Sequence, residues 1–190
     1  DRTIPARAVG YDVATGFGLV QALAPLGIEP VPLGRADSLR PREGLMIASG
    51  GEDGAVSAAW LVSKRPFSGY WEYHIPGALF TTPPRRDHSG AGLFNAAGEL
   101  VGIGSLFLTD TTPPEEPGRV PGNMFVPVDL LRPILDELRR VGSTARLSSP
   151  GPSTAADCGG TARCARSAGN FGSAGSSIST RLLLRAAAGR

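Results

Sequence analysis

Glycine and proline occur along the whole chain and divide it into short apolar segments. There are 26 Gly and 17 Pro among the 190 residues, and both residue types favour turns and interrupt long helices. Ten apolar runs lie between the turns: Ile4–Val9, Gly18–Ala22, Pro30–Leu33, Gly44–Ser49, Val56–Ser63, Trp71–Ile75, Leu79–Thr82, Ala91–Phe94, Leu100–Leu108 and Met124–Pro127. Runs of this length and spacing are typical strands of a sandwich or barrel. We therefore expect an all-β fold rather than a helical bundle.

The clearest local unit is the segment Gly92–Ile103. Two apolar stretches flank the sequence Asn95-Ala96-Ala97-Gly98, and glycine can adopt the positive φ that such a turn needs. This pattern predicts a β-hairpin.

One segment, Val128–Gly142, has helical periodicity instead. Its apolar residues recur every three or four positions, at Leu131, Ile134, Leu135 and Leu138. Asp129 is suited to the N-cap and Gly142 to the C-terminal stop, while Pro133 would lie in the first turn, where a missing N–H costs least. We predict one amphipathic helix that begins at Asp129 and closes the β domain.

The composition changes after Gly142. Residues 1–142 carry 13 basic and 16 acidic residues, whereas residues 143–190 carry six Arg and one Asp among many Ser, Ala and Gly. Such a segment has too few large apolar side chains for a core. We therefore divide the chain into a domain at 1–142 and a low-complexity disordered tail at 143–190, with the apolar stretch Ile178–Ala188 as the exception. The tail is either a natural end or an out-of-frame reading of a GC-rich gene.

Several classes of function are disfavoured. A domain with an acidic excess and six scattered Arg in the tail gives no electrostatic footprint for nucleic acid, and no apolar run approaches the roughly 18 residues of a membrane span. Cys158 and Cys164 have no third ligand nearby, so no metal or other cofactor is expected. Whether these two cysteines pair or stay reduced is left open.

The segment with the most chemical content is Arg85–Phe94, which places Ser89 among polar and glycine residues directly before the predicted hairpin. Glycines allow close approach of a substrate, and successive backbone N–H groups in a tight turn can form an oxyanion hole. Ser89 is thus a candidate nucleophile. The alternative is an ordinary Ser-Gly turn.

The order of several short segments extends this interpretation. They are Pro32–Arg40 (Pro-Leu-Gly-Arg-Ala-Asp-Ser-Leu-Arg), Leu45–Gly51, Asp87–Leu93, Asn95–Ile103 and Val126–Asp129. Together they resemble the trypsin-like serine proteases of the HtrA (Deg) type. Gly16–Leu23, Phe67–Tyr73 and Gly102–Leu106 further resemble a divergent bacterial branch of that family whose members have lost catalytic-triad residues.

The resemblance implies a trypsin-like double β-barrel, with an incomplete N-terminal barrel and a complete C-terminal barrel closed by one C-terminal helix. It implies a serine endopeptidase with Ser89 as nucleophile and with the backbone N–H groups of Asp87 and Ser89 as the oxyanion hole. It also implies a polypeptide substrate or ligand, a homo-oligomeric complete protein, and a location in the bacterial cell envelope or periplasm.

The departures from the family pattern concern the catalytic groups themselves. The triad Asp of the family falls on Gly16, and its His would precede Asp1. Asp12, four residues before Gly16, is an alternative acid because triads are recognised by geometry. Asp87 replaces a family glycine, which restricts φ and adds a negative charge beside a developing oxyanion. We expect weakened or absent hydrolysis. The alternative is a pseudoprotease that binds polypeptides or acts as a scaffold without cleaving.

Two histidines could in principle replace the missing base. His88 adjoins Ser89, but neighbouring side chains of an extended segment point to opposite faces, and His74 lies on a different predicted strand. Both are expected to be ordinary surface or turn residues. A set of aromatic residues, Phe67, Tyr70, Trp71 and Tyr73, is expected to fill the core, with a peptide groove as the alternative.

Overall fold

Strands make up most of the regular structure, as the all-β prediction requires. The computed structural model describes residues 3–49, 56–69 and 74–142, and the backbone of 181–185. The strands are β1 (Ala6–Asp12), β2 (Phe17–Ala22), β3 (Gly44–Ala48), β4 (Val56–Phe67), β5 (Ile75–Thr82), β6 (Gly92–Phe94), β7 (Leu100–Leu108), β8 (Gly122–Pro127) and β9 (Arg181–Arg185). Two short 3-10 helices span Ala36–Ser38 and Val128–Leu130, and one α-helix, α1, spans Leu135–Val141.

Six strands form a closed barrel in the order β3-β4-β5-β8-β7-β6, and each of its strand pairs is antiparallel. Along β3, Leu45 and Ile47 are buried whereas Met46 between them is exposed, which is the alternation of a strand with one face inward. In the closed barrel each strand has a neighbour on both sides, although β6 pairs only with the first part of β7, at Leu100–Ile103.

Two apolar clusters stabilise this arrangement. All six barrel strands contribute to the first cluster, which fills the barrel with Leu45, Ile47, Ala59, Leu61, Leu79, Leu93, Val101 and Phe125 among others. The second lies on the outer face of β5, β8 and β7, where Phe80, Met124 and Val126 pack with Phe17, Leu19, Ile134 and Leu138. The β1–β2 hairpin and α1 are therefore held against the outside of the barrel.

The expected N-terminal barrel is represented in the described residues by a three-stranded sheet of order β1-β2-β9. β1 and β2 are antiparallel, and β9 pairs in parallel with β2. β9 falls within Ile178–Ala188, the apolar part of the predicted tail. The remainder of 143–190, with Cys158 and Cys164, lies outside the described residues.

The structure confirms the hairpin predicted at Gly92–Ile103. β6 and β7 are antiparallel, and the Gly98 N–H donates to the Asn95 carbonyl at 3.0 Å with Gly98 at φ 75°. The Asn95 side-chain oxygen also accepts the N–H groups of Ala97 and Glu99, each at 3.0 Å. An asparagine that bonds its own turn and a glycine with positive φ make this connection locally determined.

The predicted helix begins six residues later than the sequence indicates. Asp129 lies in a 3-10 turn, and its Oδ2 accepts the backbone N–H of Ala36 at 2.6 Å instead of capping a helix. α1 starts at Leu135, two residues after Pro133, and ends as predicted at Gly142, which has φ 81°. The Asp129 side chain does not cap a helix, because it bonds a residue 93 positions earlier in the chain. Helical periodicity in the sequence does not reveal such a contact.

Two strand predictions also need correction. Pro30–Leu33 is not a strand, because it contributes only an isolated bridge between Leu33 and Leu100. Trp71–Tyr73, most of the strand predicted at Trp71–Ile75, lies outside the described residues, but the strand predicted at Leu79–Thr82 begins earlier, because β5 is continuous from Ile75 to Thr82. Gly77 has φ 65°, and the β4–β5 ladder shifts register at this point. The glycine therefore marks an irregularity within a continuous strand and not the end of that strand.

Candidate active site

Ser89 lies in the connection between β5 and β6, on a tight turn that leads into β6. The Ala91 N–H donates to the His88 carbonyl at 3.0 Å, and Gly90 has φ 75°, a value that glycine adopts without strain. The turn leaves Ser89 exposed. We call the segment Arg85–Ala91 the serine loop.

Strand β7 supports the serine loop from one side. Gly104 accepts the N–H of Gly90 at 3.0 Å and donates its own N–H to the Ala91 carbonyl at 2.8 Å. A Cβ added to Gly104 would lie 1.8 Å from the His88 carbonyl oxygen. Only a residue without a side chain allows β7 to approach the loop this closely.

Asn123 on β8 holds the other end of the serine loop. It is fully buried, its Oδ1 accepts the Arg85 N–H at 2.6 Å, and its Nδ2 donates to the Arg85 carbonyl at 3.0 Å. His88 Nδ1 donates to the same carbonyl at 2.9 Å. Asn123 was not identified from the sequence, where it directly precedes the apolar run Met124–Pro127. A polar residue next to such a run is a signal, since buried polar side chains need hydrogen-bond partners.

The carboxylate of Asp87 is at the centre of a small polar cluster. Arg85 Nε donates to Oδ1 at 3.1 Å and Arg85 Nη2 to Oδ2 at 3.2 Å, while the Ser49 hydroxyl also donates to Oδ2. The hydrogen bond from Arg85 and then that from Ser49 lower the pKa of Asp87 from 3.8 to about 2, and the Asp87 backbone N–H adds to this lowering. The carboxylate is therefore ionised at neutral pH.

This cluster predicts a pH-dependent stability difference between the wild-type chain and Asp87→Asn. A carboxyl whose pKa is lower when folded stabilises the fold above pH 3.8, and that contribution is lost as the pH falls towards 2. The effect should be small because the Asp87 side chain is 34% exposed. Urea unfolding at pH 7 and pH 2 measures it, and a difference that does not shrink at pH 2 would contradict the cluster.

The turn between β1 and β2 contains Gly16, where the family resemblance places the triad acid. Gly16 has φ 71°, and its N–H donates to the Asp12 carbonyl at 2.8 Å. Asp12 is 1% exposed, and its Oδ2 accepts the Thr15 N–H at 2.9 Å and the Thr15 hydroxyl at 2.5 Å. The Asp12 carboxylate, the only one in this turn, thus stabilises the turn through hydrogen bonds to Thr15.

Of the other residues singled out from the sequence, Phe67 ends β4 and His74 directly precedes β5. His74 is exposed, and its Nδ1 shares a hydrogen bond with the Ser68 hydroxyl at 3.0 Å. Phe67 packs edge-to-face against the fully buried Phe80 with ring centroids 6.0 Å apart. Tyr70, Trp71 and Tyr73 lie outside the described residues.

The described residues contain neither a metal-binding cluster nor a membrane-spanning helix. The ranges 3–49, 56–69 and 74–142 contain no group of three or more His, Cys, Asp or Glu side chains that is placed to hold a metal ion. Among the same residues, no helix has the length and apolar character needed to cross a membrane.

Comparison with known proteins agrees with this architecture. The HtrA-type protease AlgW, solved with a decapeptide, superimposes with a TM-score of 0.60 at 18% identity over 75% of this chain and 42% of AlgW. Deg5 gives a TM-score of 0.56 at 18% identity, over 74% of this chain and 64% of Deg5. The MamO protease domain from Magnetospirillum magneticum gives 0.50 at 21% identity, over 70% of this chain and 68% of that domain.

The chain thus spans less than two thirds of the length of AlgW and of Deg5. No curated protein sequence matches it. The family model of the trypsin-like peptidase domain matches residues 1–103, more than half of the chain, and this range includes the serine loop. The chain therefore belongs to the trypsin-like peptidase family, with the fold of the HtrA-type proteases.

Proposed function

We propose that this chain is a serine-endopeptidase-like domain that binds extended polypeptides beside Ser89 and hydrolyses them slowly. The observation that carries the proposal is the exposed Ser89 on a turn that β7 and β8 both brace, through Gly104 and Asn123. A nucleophilic hydroxyl needs a rigid, accessible position of this kind.

An edge of β7 supports the polypeptide part of the proposal. β6 pairs only with the first part of β7, at Leu100–Ile103, while β8 pairs with β7 up to Leu108 on the other edge. Phe107 is 48% exposed in this last part of β7. An extended polypeptide can add to a sheet edge through main-chain hydrogen bonds. AlgW was solved with a decapeptide and with a tripeptide.

Slow hydrolysis follows from the residues in the acid position. Gly16 has no carboxylate, and Asp12 is buried in its own turn. In a Ser-His-Asp triad, replacement of the acid reduces kcat by about 10⁴, because the acid holds the histidine in the productive tautomer and orientation. Ser89 would therefore react far more slowly than the nucleophile of a complete triad.

A second candidate function is polypeptide binding without cleavage, as in a pseudoprotease. The Asp87 carboxylate favours it, because a negative charge two residues before the nucleophile opposes the negative charge that develops on a substrate carbonyl oxygen. This candidate uses the same β7 edge and differs only in the absence of turnover.

The full-length chain should be tested for Ser89-dependent turnover and for peptide binding together. Binding of fluorescent unstructured peptides is measured by polarisation, and their cleavage by mass spectrometry, in the wild type, in Ser89→Ala and in Ser38→Ala. Ser38 is a matched control because it is an exposed serine whose hydroxyl bonds the Arg35 carbonyl, away from the serine loop.

We expect binding in all three proteins and slow cleavage that only Ser89→Ala abolishes. Binding without cleavage in the wild type would favour the pseudoprotease. Cleavage that persists in Ser89→Ala would rule out Ser89 as the nucleophile, and absence of peptide binding would contradict both candidates.

A further inference from the structure

An open cavity of about 270 Å³ lies between the β1–β2 hairpin and α1. Its lining consists of Arg7, Val9, Leu19, Val20, Gln21 and Arg139. The first two of these residues belong to β1, the next three to β2 and the last to α1. No residue of the serine loop contributes to this lining. The cavity is therefore separate from the proposed catalytic site.

Two arginines give the cavity a positive charge. Gln21 holds Arg7 in place, because its Oε1 accepts hydrogen bonds from Arg7 Nε at 3.1 Å and from Arg7 Nη2 at 2.8 Å. Gln21 is neutral, so this contact orients the guanidinium group without neutralising it. Arg139 Nη1 donates to Asp136 at 3.3 Å, but the Asp136 side chain is 95% exposed, and solvent screens such a pair. The described residues that line the cavity include no Asp or Glu.

The other side of the cavity is apolar. Leu19 belongs to the apolar cluster outside the barrel, and Val9 packs against that cluster. At about 30 Å³ for each water-sized group, the volume of about 270 Å³ holds about nine non-hydrogen atoms. A short apolar chain would gain from removing this surface from water. A peptide group would instead need hydrogen-bond partners there, and Gln21, the only uncharged polar side chain of the lining, already bonds Arg7.

We infer that this cavity binds a small anionic amphiphile, with a carboxylate or phosphate head group against the two arginines and a short unbranched apolar chain against Val9 and Leu19. Guanidinium groups bind both kinds of head group through paired N–H donors. The inference is independent of the proposed peptidase function, because the cavity and the serine loop share no residue.

Isothermal titration calorimetry of the full-length chain with octanoate tests the inference. Octanol has the same chain without the charge, and acetate has the charge without the chain. We expect both to bind at least about tenfold more weakly than octanoate, since the first loses charge-assisted hydrogen bonds and the second loses apolar burial. Octanoate binding should also weaken as the salt concentration rises. Octyl phosphate is titrated in parallel, and the tighter of the two anions identifies the preferred head group.

Two arginine variants locate the binding site. Arg7→Gln and Arg139→Gln each remove one guanidinium group from the cavity, so each should weaken octanoate binding about tenfold. Arg40→Gln is the matched control, because Arg40 is an exposed arginine that does not line the cavity. Its affinity for octanoate should equal that of the wild type.

Each variant must keep the thermal transition of the wild type. Equal octanoate affinities in the wild type and in both cavity variants would overturn the assignment of the site. Octanol that binds as tightly as octanoate would overturn the anionic head group, and acetate that does so would overturn the apolar chain. Absence of octanoate and octyl phosphate binding at millimolar concentrations would overturn the inference as a whole. None of these results depends on Ser89, so the proposed function stands or fails separately.

Discussion

Replacement of Gly104 by alanine is expected to destabilise the barrel and to displace the serine loop. The added Cβ would lie 1.8 Å from the carbonyl oxygen of His88 and 2.9 Å from its carbonyl carbon. Both atoms are backbone, so no side chain can rotate away, and either the serine loop or β7 must move. Overpacking of a close-packed site costs about 1–3 kcal/mol, and we expect a loss in the free energy of unfolding at or above the top of this range.

Gly44→Ala is the matched control for this prediction. Gly44 is also in a barrel strand, β3, but no atom lies within 4 Å of the position that its Cβ would occupy. Urea unfolding of both variants should show a large loss for Gly104→Ala and a change within about 0.5 kcal/mol for Gly44→Ala. Similar stabilities of the two variants would show that β7 and the serine loop are not in close contact.

Phe125→Ala should have a comparably large effect through a different mechanism. Phe125 is fully buried in the barrel core, and its ring edge lies 3.3 Å from the Cβ position of Gly104. Truncation of a buried phenylalanine costs about 3–5 kcal/mol, from lost transfer free energy and from the cavity left behind. Because that cavity lies against Gly104, we also expect higher exchange of the Gly90 amide proton, which bonds the Gly104 carbonyl.

Phe107→Ala serves as the control for this second prediction. Phe107 lies on β7 and is 48% exposed, so the same truncation should change the free energy of unfolding far less than Phe125→Ala does. Chemical denaturation and amide hydrogen exchange measure the two effects. An equal loss of stability in the two variants would contradict the assignment of Phe125 to the barrel interior.

The strands and the hairpin were predictable because their signals are local. β3 is a short apolar run, Gly-Leu-Met-Ile-Ala, and the turn at Asn95–Gly98 contains all the groups that it needs. The start of the helix was not predictable, because Asp129 bonds Ala36, far away along the chain. The strand predicted at Pro30–Leu33 failed for a related reason, since an apolar run becomes a strand only where a neighbouring strand can pair with it.

The candidate site likewise combines residues that the sequence indicates with residues that only the structure reveals. Ser89 was singled out from its residue type and its neighbours, and Gly16 and Asp87 from the family resemblance, and the catalytic roles of all three stay predictions. The roles of Ser49 and Asn123 could not be identified in this way. Each lies 38 residues from the partner that it bonds in the serine loop, and they come together only because the barrel closes.

The sequence by itself determined the all-β class, the hairpin at Gly92–Ile103, the helix stop at Gly142 and the position of the candidate nucleophile, because each depends on residues close together in the chain. Only the tertiary structure decided where α1 begins, why Gly104 must be glycine and which groups surround Asp87. Those features depend on contacts between distant segments, and a hydrogen bond or a steric conflict exists only once packing has brought both partners within a few ångströms of each other.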